Sequence, residues 1–157
     1  MQILKTSMFS LAVALGALPL VSVAADPAAH MMVMPGDIQW GDVPSLPPGA
    51  KIAVIEGPMN EAAPFTARIK FPANYMLPAH WHPAIEHVTV LSGTFNMGMG
   101  DKFDQAKTQA LTAGSFALMQ PKTLHYAWTG AETVVQVHGM GPWGITYVNP
   151  ADDPRKK

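Results

Sequence analysis

From Asp26 onward, glycine and proline interrupt this chain so often that a long helix has little room. Fifteen prolines and 13 glycines are spread over 157 residues. Inside a helix a proline costs about 3 kcal/mol and a glycine about 1 kcal/mol relative to alanine. The intervals hold short runs of strand length, several rich in branched and aromatic side chains. These are Lys51 to Glu56, Phe65 to Phe71, Glu86 to Leu91, Thr94 to Met99, Thr108 to Leu111, Ser115 to Met119, His125 to Trp128, Thr133 to His138 and Ile145 to Val148. Short strands recurring every 8–12 residues or so predict an all-β antiparallel sandwich or barrel. No internal repeat or low-complexity tract competes with that reading.

The first 25 residues follow a different rule. Lys5 is the only charge before Asp26, Met8 to Leu18 is apolar or small, Pro19 ends the run, and Val23-Ala24-Ala25 supplies small residues. That order predicts a secretory signal at 1–25, cleaved after Ala25. The apolar run is short of the roughly 20 residues of a membrane span, so no span is expected in the mature chain. Residues 26–37 then read as an arm, 38–149 as the β domain and 150–157 as a tail. A periplasmic or secreted location is expected. The chain has no cysteine, so an exported domain of this kind must rest on its core rather than on disulfides.

Charge narrows the partners. Ten Lys+Arg face 11 Asp+Glu, a formal net charge of −1. Nucleic-acid binding requires many cationic phosphate contacts, and nothing here supplies them.

The candidate chemistry lies between His80 and His125. In His80-Trp81-His82 two imidazoles stand at i and i+2, which a strand projects from one face. Glu86 follows across a turn containing Pro83, and a hairpin there would return its carboxylate opposite the imidazoles. Gly93 closes that run, and His125 lies 11 residues after Gly114. Three neutral nitrogens and one carboxylate suit a divalent Mn, Fe, Ni, Co or Zn ion.

This pattern resembles the cupin superfamily. The first cupin motif reads G, five residues, HxH, three or four residues, E, six residues, G. Here His80, His82, Glu86 and Gly93 match it, with Asn74 in place of the leading glycine. The second motif reads G, five residues, PxG, two residues, H, three residues, N. Gly114 and His125 match it, Pro121 falls one place late, Lys122 holds the inner glycine position and Thr129 the asparagine. Stretches such as MGDKFD and QVHGMGPWGITYVNP are similar to small exported bacterial cupins of the ChrR-like group, over roughly Ile38 to Asn149. The resemblance implies a jelly-roll β-barrel with a metal inside, on His80, His82, Glu86 and His125.

Other residues carry weaker expectations. His87 has the opposite strand parity to Glu86 and should point away from the metal. Gln136 and His138 share a face, either toward a pocket or toward the outside of the barrel. Tyr126, Trp128 and Trp81 should pack away from the ligand, and His30 stands idle in the arm. The 11 methionines are scattered and read as core filler rather than as soft copper ligands. No GxSxG, Ser/His/Asp set or phosphate-binding glycine loop is present. Two functional classes stay open. One is a metal-dependent enzyme of oxygenase or isomerase type on an unidentified small molecule; the other is a non-catalytic module that binds or senses a metal or small ligand. A homodimer paired through strand edges is the default assembly.

Overall fold

The computed structural model describes residues 30–157. The expected signal at 1–25 and the start of the arm lie outside the described residues. Eleven strands follow one another: β1 (Gly41–Asp42), β2 (Lys51–Glu56), β3 (Pro64–Phe71), β4 (Tyr75–Trp81), β5 (Glu86–Ser92), β6 (Thr94–Met99), β7 (Gln109–Thr112), β8 (Phe116–Met119), β9 (His125–Thr129), β10 (Thr133–Met140) and β11 (Thr146–Tyr147). Helix among the described residues is limited to four 3-10 turns of three residues each.

The strands form two antiparallel sheets. One has six strands in the order β1-β2-β3-β10-β5-β8, the other five in the order β11-β4-β9-β6-β7. This is the jelly-roll arrangement expected for the sequence. Alternation decides which side of each strand faces in. On β10, Val135 and Val137 are buried while Val134, Gln136 and His138 are only half-buried. On β5, Glu86, Val88 and Val90 are buried and His87 and Thr89 are not. Between the sheets Phe71 packs on Tyr75 and Phe95, with ring centroids 5.2 and 5.4 Å apart.

The expected hairpin between the HxH strand and Glu86 does not form. β4 and β5 belong to different sheets, so the segment around Pro83 crosses from one layer to the other. The neighbour of β4 on the site side is β9, where His80 pairs directly with His125. Strand β4 also begins earlier than the histidines suggest, because Pro78 disguises it. Its register against β9 shifts between Leu77 and His80, and one extra residue is absorbed there. A β-bulge tolerates the missing N–H of proline and re-aims the side chains that follow. Tyr75 and Leu77 are buried before it, and His80 and His82 after it.

The methionines depart from the core-filler expectation. Met97 and Met119 are buried, but Met34, Met76, Met99 and Met140 are exposed. Met76, Met99 and Met140 sit on outward strand positions and Met34 precedes the first 3-10 turn, so these thioethers fill no core space.

Candidate metal centre and cavity

Three imidazoles converge inside the barrel. One ring nitrogen from each of His80, His82 and His125 lies within 4.8 Å of the other two, and all three residues are buried. Each ring is held from behind by a backbone carbonyl. His80 Nδ1 meets the Pro78 carbonyl at 2.7 Å, His82 Nδ1 the Gly144 carbonyl at 2.7 Å, and His125 Nδ1 the Thr123 carbonyl at 2.9 Å. A carbonyl only accepts, so each Nδ1 is the protonated nitrogen and donates. The tautomer follows from these bonds, and it leaves each Nε2 with a free lone pair.

Glu86 reaches the same point from the opposite sheet. Its Oε2 is 3.2 Å from His125 Nε2, and its Oε1 is 3.5 Å from His82 Nε2. The carboxylate and the unprotonated nitrogens all present lone pairs, so none of these contacts is a hydrogen bond. Accordingly His82 Nε2 and Glu86 Oε2 are buried without a hydrogen-bond partner. Polar atoms left so are expensive, and a cation among them removes the penalty. The donor set therefore fits a divalent ion of the Mn-to-Zn series.

Burial also keeps the His80 and His82 rings neutral. It holds His80 well below the ordinary histidine range, helped by its neighbours His125 and His82 and opposed by the Pro78 carbonyl. Burial lowers His82 as well, against the opposing pull of Glu86 and the Gly144 carbonyl. Neutral imidazole is the form that ligates a metal.

Two backbone features support this geometry where the chain departs from the cupin motifs. Asn74 and Lys122 occupy glycine positions, and both are left-handed, with φ of 57° and 65°. Asparagine visits that region readily and lysine does not. The N–H of Lys122 donates to the His82 carbonyl at 2.9 Å, and the next residue supplies the carbonyl that holds His125. Thr129, at the asparagine position, is buried and donates its hydroxyl to the Pro72 carbonyl.

The four polar groups open on a cavity of about 280 Å³ between the sheets. Its walls are chiefly apolar, with Leu77, Val88, Met97, Val135, Val137 and Trp143 among them. Gln136 and His138 alternate with the two wall valines and so lie on the other face of the sheet, outside the cavity. There Gln136 accepts from Arg68, and His138 stacks on His87 with centroids 4.7 Å apart. His87 thus points away from Glu86, as parity requires. Tyr126 and Trp128 pack under the loop after β6, where Trp128 donates to Thr108 and Tyr126 to the Asp104 carbonyl.

Sequence reasoning missed the C-terminal contribution. Trp143 stacks on His82 at 4.2 Å and 13°, and Gly144, Ile145 and Arg155 line the cavity. The one available signal was a tryptophan between glycines and proline; nothing marked Arg155.

Comparison with known proteins agrees with this fold. Residues 28–143 match the model of the ChrR cupin-like domain. Among curated proteins none matches the chain. The polyketide cyclase RemF from Streptomyces resistomycificus is similar in structure at 18% identity and a TM-score of 0.66, covering 81% of this chain and 91% of its own. A Methylibium petroleiphilum protein provisionally named as an acetylacetone dioxygenase gives 17% identity, a TM-score of 0.60, and coverage of 80% and 85%. An RmlC-like cupin from Shewanella frigidimarina gives 16%, 0.56, and 71% and 91%. At these identities the likeness is one of fold.

Proposed function

Because the chain belongs to the ChrR cupin-like family, we propose that it is an exported metal-binding cupin acting on a small molecule, with His80, His82, Glu86 and His125 holding a divalent ion. The observation that carries this reading is the set of three Nδ1–carbonyl bonds. They turn three ring nitrogens and a carboxylate toward one buried point, where a single cation would satisfy them together.

When bound, a metal of this class supplies a Lewis acid and, if redox-active, the means to activate dioxygen. The chain's own groups do the rest. Gly144, Pro78 and Thr123 fix ring orientation through their carbonyls, Trp143 restrains His82 by stacking, and the apolar walls exclude water. Glu86 would compensate the charge of the ion and link the six-stranded sheet to His80 and His125 on the other sheet and to His82 just beyond β4. The similarity in fold to cyclase and dioxygenase cupins supports an enzyme of oxygenase or isomerase type. A non-catalytic binding or sensing module is the second reading. It is favoured by the cavity lining, where among the described residues the further side chains with polar atoms are Ser45, Trp143 and Arg155, and none is an evident base.

Elemental analysis of protein purified from its native compartment tests the metal and its identity together. Stoichiometric metal that chelator removes, with a fall in Tm, is the expected result. Metal-free protein whose Tm ignores added Mn, Fe, Co, Ni and Zn would overturn the reading. Dioxygen uptake by iron-loaded protein over small phenols and diketones then separates enzyme from binding module. Export is checked by N-terminal sequencing, expected to begin at Asp26; retention of Met1 in secreted material contradicts it.

A further inference from the structure

The cavity has one cation on its wall, and it comes from the tail. Among the described residues that line it, Arg155 is the only lysine or arginine. It lies in the last 3-10 turn, Pro154–Lys156, beyond the segment that matches the family model. Three bonds fix its guanidinium. Nε donates to Asp153 Oδ1 at 2.7 Å, and Nη2 donates to Asp153 Oδ2 at 2.8 Å and to the Ile145 carbonyl at 3.1 Å. Among the described residues all of its side-chain hydrogen bonds run from Nε and Nη2, and the side chain, 43% exposed, stands where the cavity meets solvent. The two N–H groups of Nη1 remain for a ligand.

Its position relative to the metal centre follows from the backbone. The Ile145 carbonyl holds Arg155, and the preceding carbonyl, that of Gly144, holds His82. His82, Trp143 and Arg155 all line the one cavity. A small molecule can meet both. The wall between them is apolar and carries the Trp143 ring.

We propose that Arg155 is a specificity-determining residue that selects a small monoanion with an apolar body, a carboxylate or enolate, binding its charged end through Nη1 while the body lies against Trp143 and the valine wall. This rests on the reading of the cavity as the small-molecule site. Asp153 both orients the guanidinium and competes for its charge. The two residues therefore have opposite effects on an anion, which a purely structural ion pair would not produce.

Benzoate and benzamide, alike in shape and different in charge, are the probes, titrated by ligand-observed NMR against chelator-treated and zinc-loaded protein. Wild type is expected to prefer benzoate in both forms. Arg155→Gln should lose about tenfold in benzoate affinity, the scale of a hydrogen bond to a charged group, with benzamide unchanged. Asp153→Asn, which keeps an N-cap at that position, should bind benzoate more tightly. Equal binding of the two probes by wild type, no binding of benzoate at millimolar concentration, or a parallel loss in both variants would overturn the assignment. Benzoate bound only with zinc and regardless of Arg155 also overturns it, yet leaves the metal reading standing. Failure of zinc to bind defeats the metal reading without touching the apo titrations.

Discussion

The two walls of the cavity are built by different means. Along the site the β5–β10 wall alternates without a break: Glu86, Val88 and Val90 face inward on one strand, Val135 and Val137 on its neighbour, and the register shift of this pair falls beyond them, between Val134 and Val135 at Leu91. The β4–β9 wall is broken by the bulge at Pro78 and leans on the left-handed turn at Lys122. Strict alternation would send His80 and His82 outward, because Tyr75 and Leu77 already take the inward parity. The extra residue reverses that parity halfway along the strand, so one strand serves both the apolar core and the site. The other register shifts, between Val134 and Val135 and between Val54 and Glu56, carry none of the four candidate ligands, whereas the one at Pro78 re-aims two of them.

Removing a side chain from each wall should separate the two roles. His80→Ala takes out a proposed metal donor, and metal affinity should fall by at least about 100-fold, the top of the range for supporting groups alone. The apo fold should survive, since the variant also removes a buried polar group of low pKa. Competition against a chromophoric chelator measures the first, and circular dichroism the second. Val135→Ala should do the reverse. It deletes a side chain 1% exposed and should cost about 2–3 kcal/mol by urea unfolding, with metal affinity close to wild type. If both variants lose metal equally, the walls are not functionally distinct.

How much of this was legible beforehand follows the same division. Strand β5 with Glu86 and strand β10 could be read directly, because period-two alternation states which side faces in. The parity of His87 against Glu86 was readable for the same reason. The hairpin between His82 and Glu86 was not a safe inference: sequence spacing does not say which sheet a strand joins, and here the connection changes layers. Strand β4 was visible only at its histidine end, since a proline inside a strand ordinarily argues against one. Trp143 and Gly144 reach the cavity from a glycine-broken segment and Arg155 from a 3-10 turn of the tail, and neither stretch carries a period. The exposed methionines show the converse, that an apolar residue on an outward position remains outward.

Acid should weaken the broken wall first. The folded state holds His80 and His82 below their ordinary values, chiefly by burial, whereas in the unfolded chain they titrate near pH 6.5. Below that value the unfolded state binds more protons, so stability is lost as pH falls from about 6.5 toward the folded values. The slope should be roughly 1 kcal/mol per pH unit for each ring, in chelator. Urea unfolding between about pH 7.5 and 5.5 tests it. His80→Ala should flatten the slope and Val135→Ala should leave it intact. A wild-type stability independent of pH in that window contradicts the assigned protonation.

The smallest effect sharpens the comparison most, because it concerns backbone alone. Lys122 is an exposed residue with φ of 65° at a position where the cupin motif carries glycine. A left-handed non-glycine residue costs about 1–2 kcal/mol, and glycine gives back about 0.5–1 kcal/mol of that through the freedom it adds to the unfolded chain. Lys122→Gly should therefore raise stability by about 0.5–1 kcal/mol. Lys122→Ala, which keeps the strain and also removes the side chain, should be near neutral, so the difference between the two isolates the backbone. Metal affinity should not change in either, since the N–H that holds the His82 carbonyl is present in all three. If glycine stabilises no more than alanine, the left-handed turn is not a cost that this wall bears for its geometry.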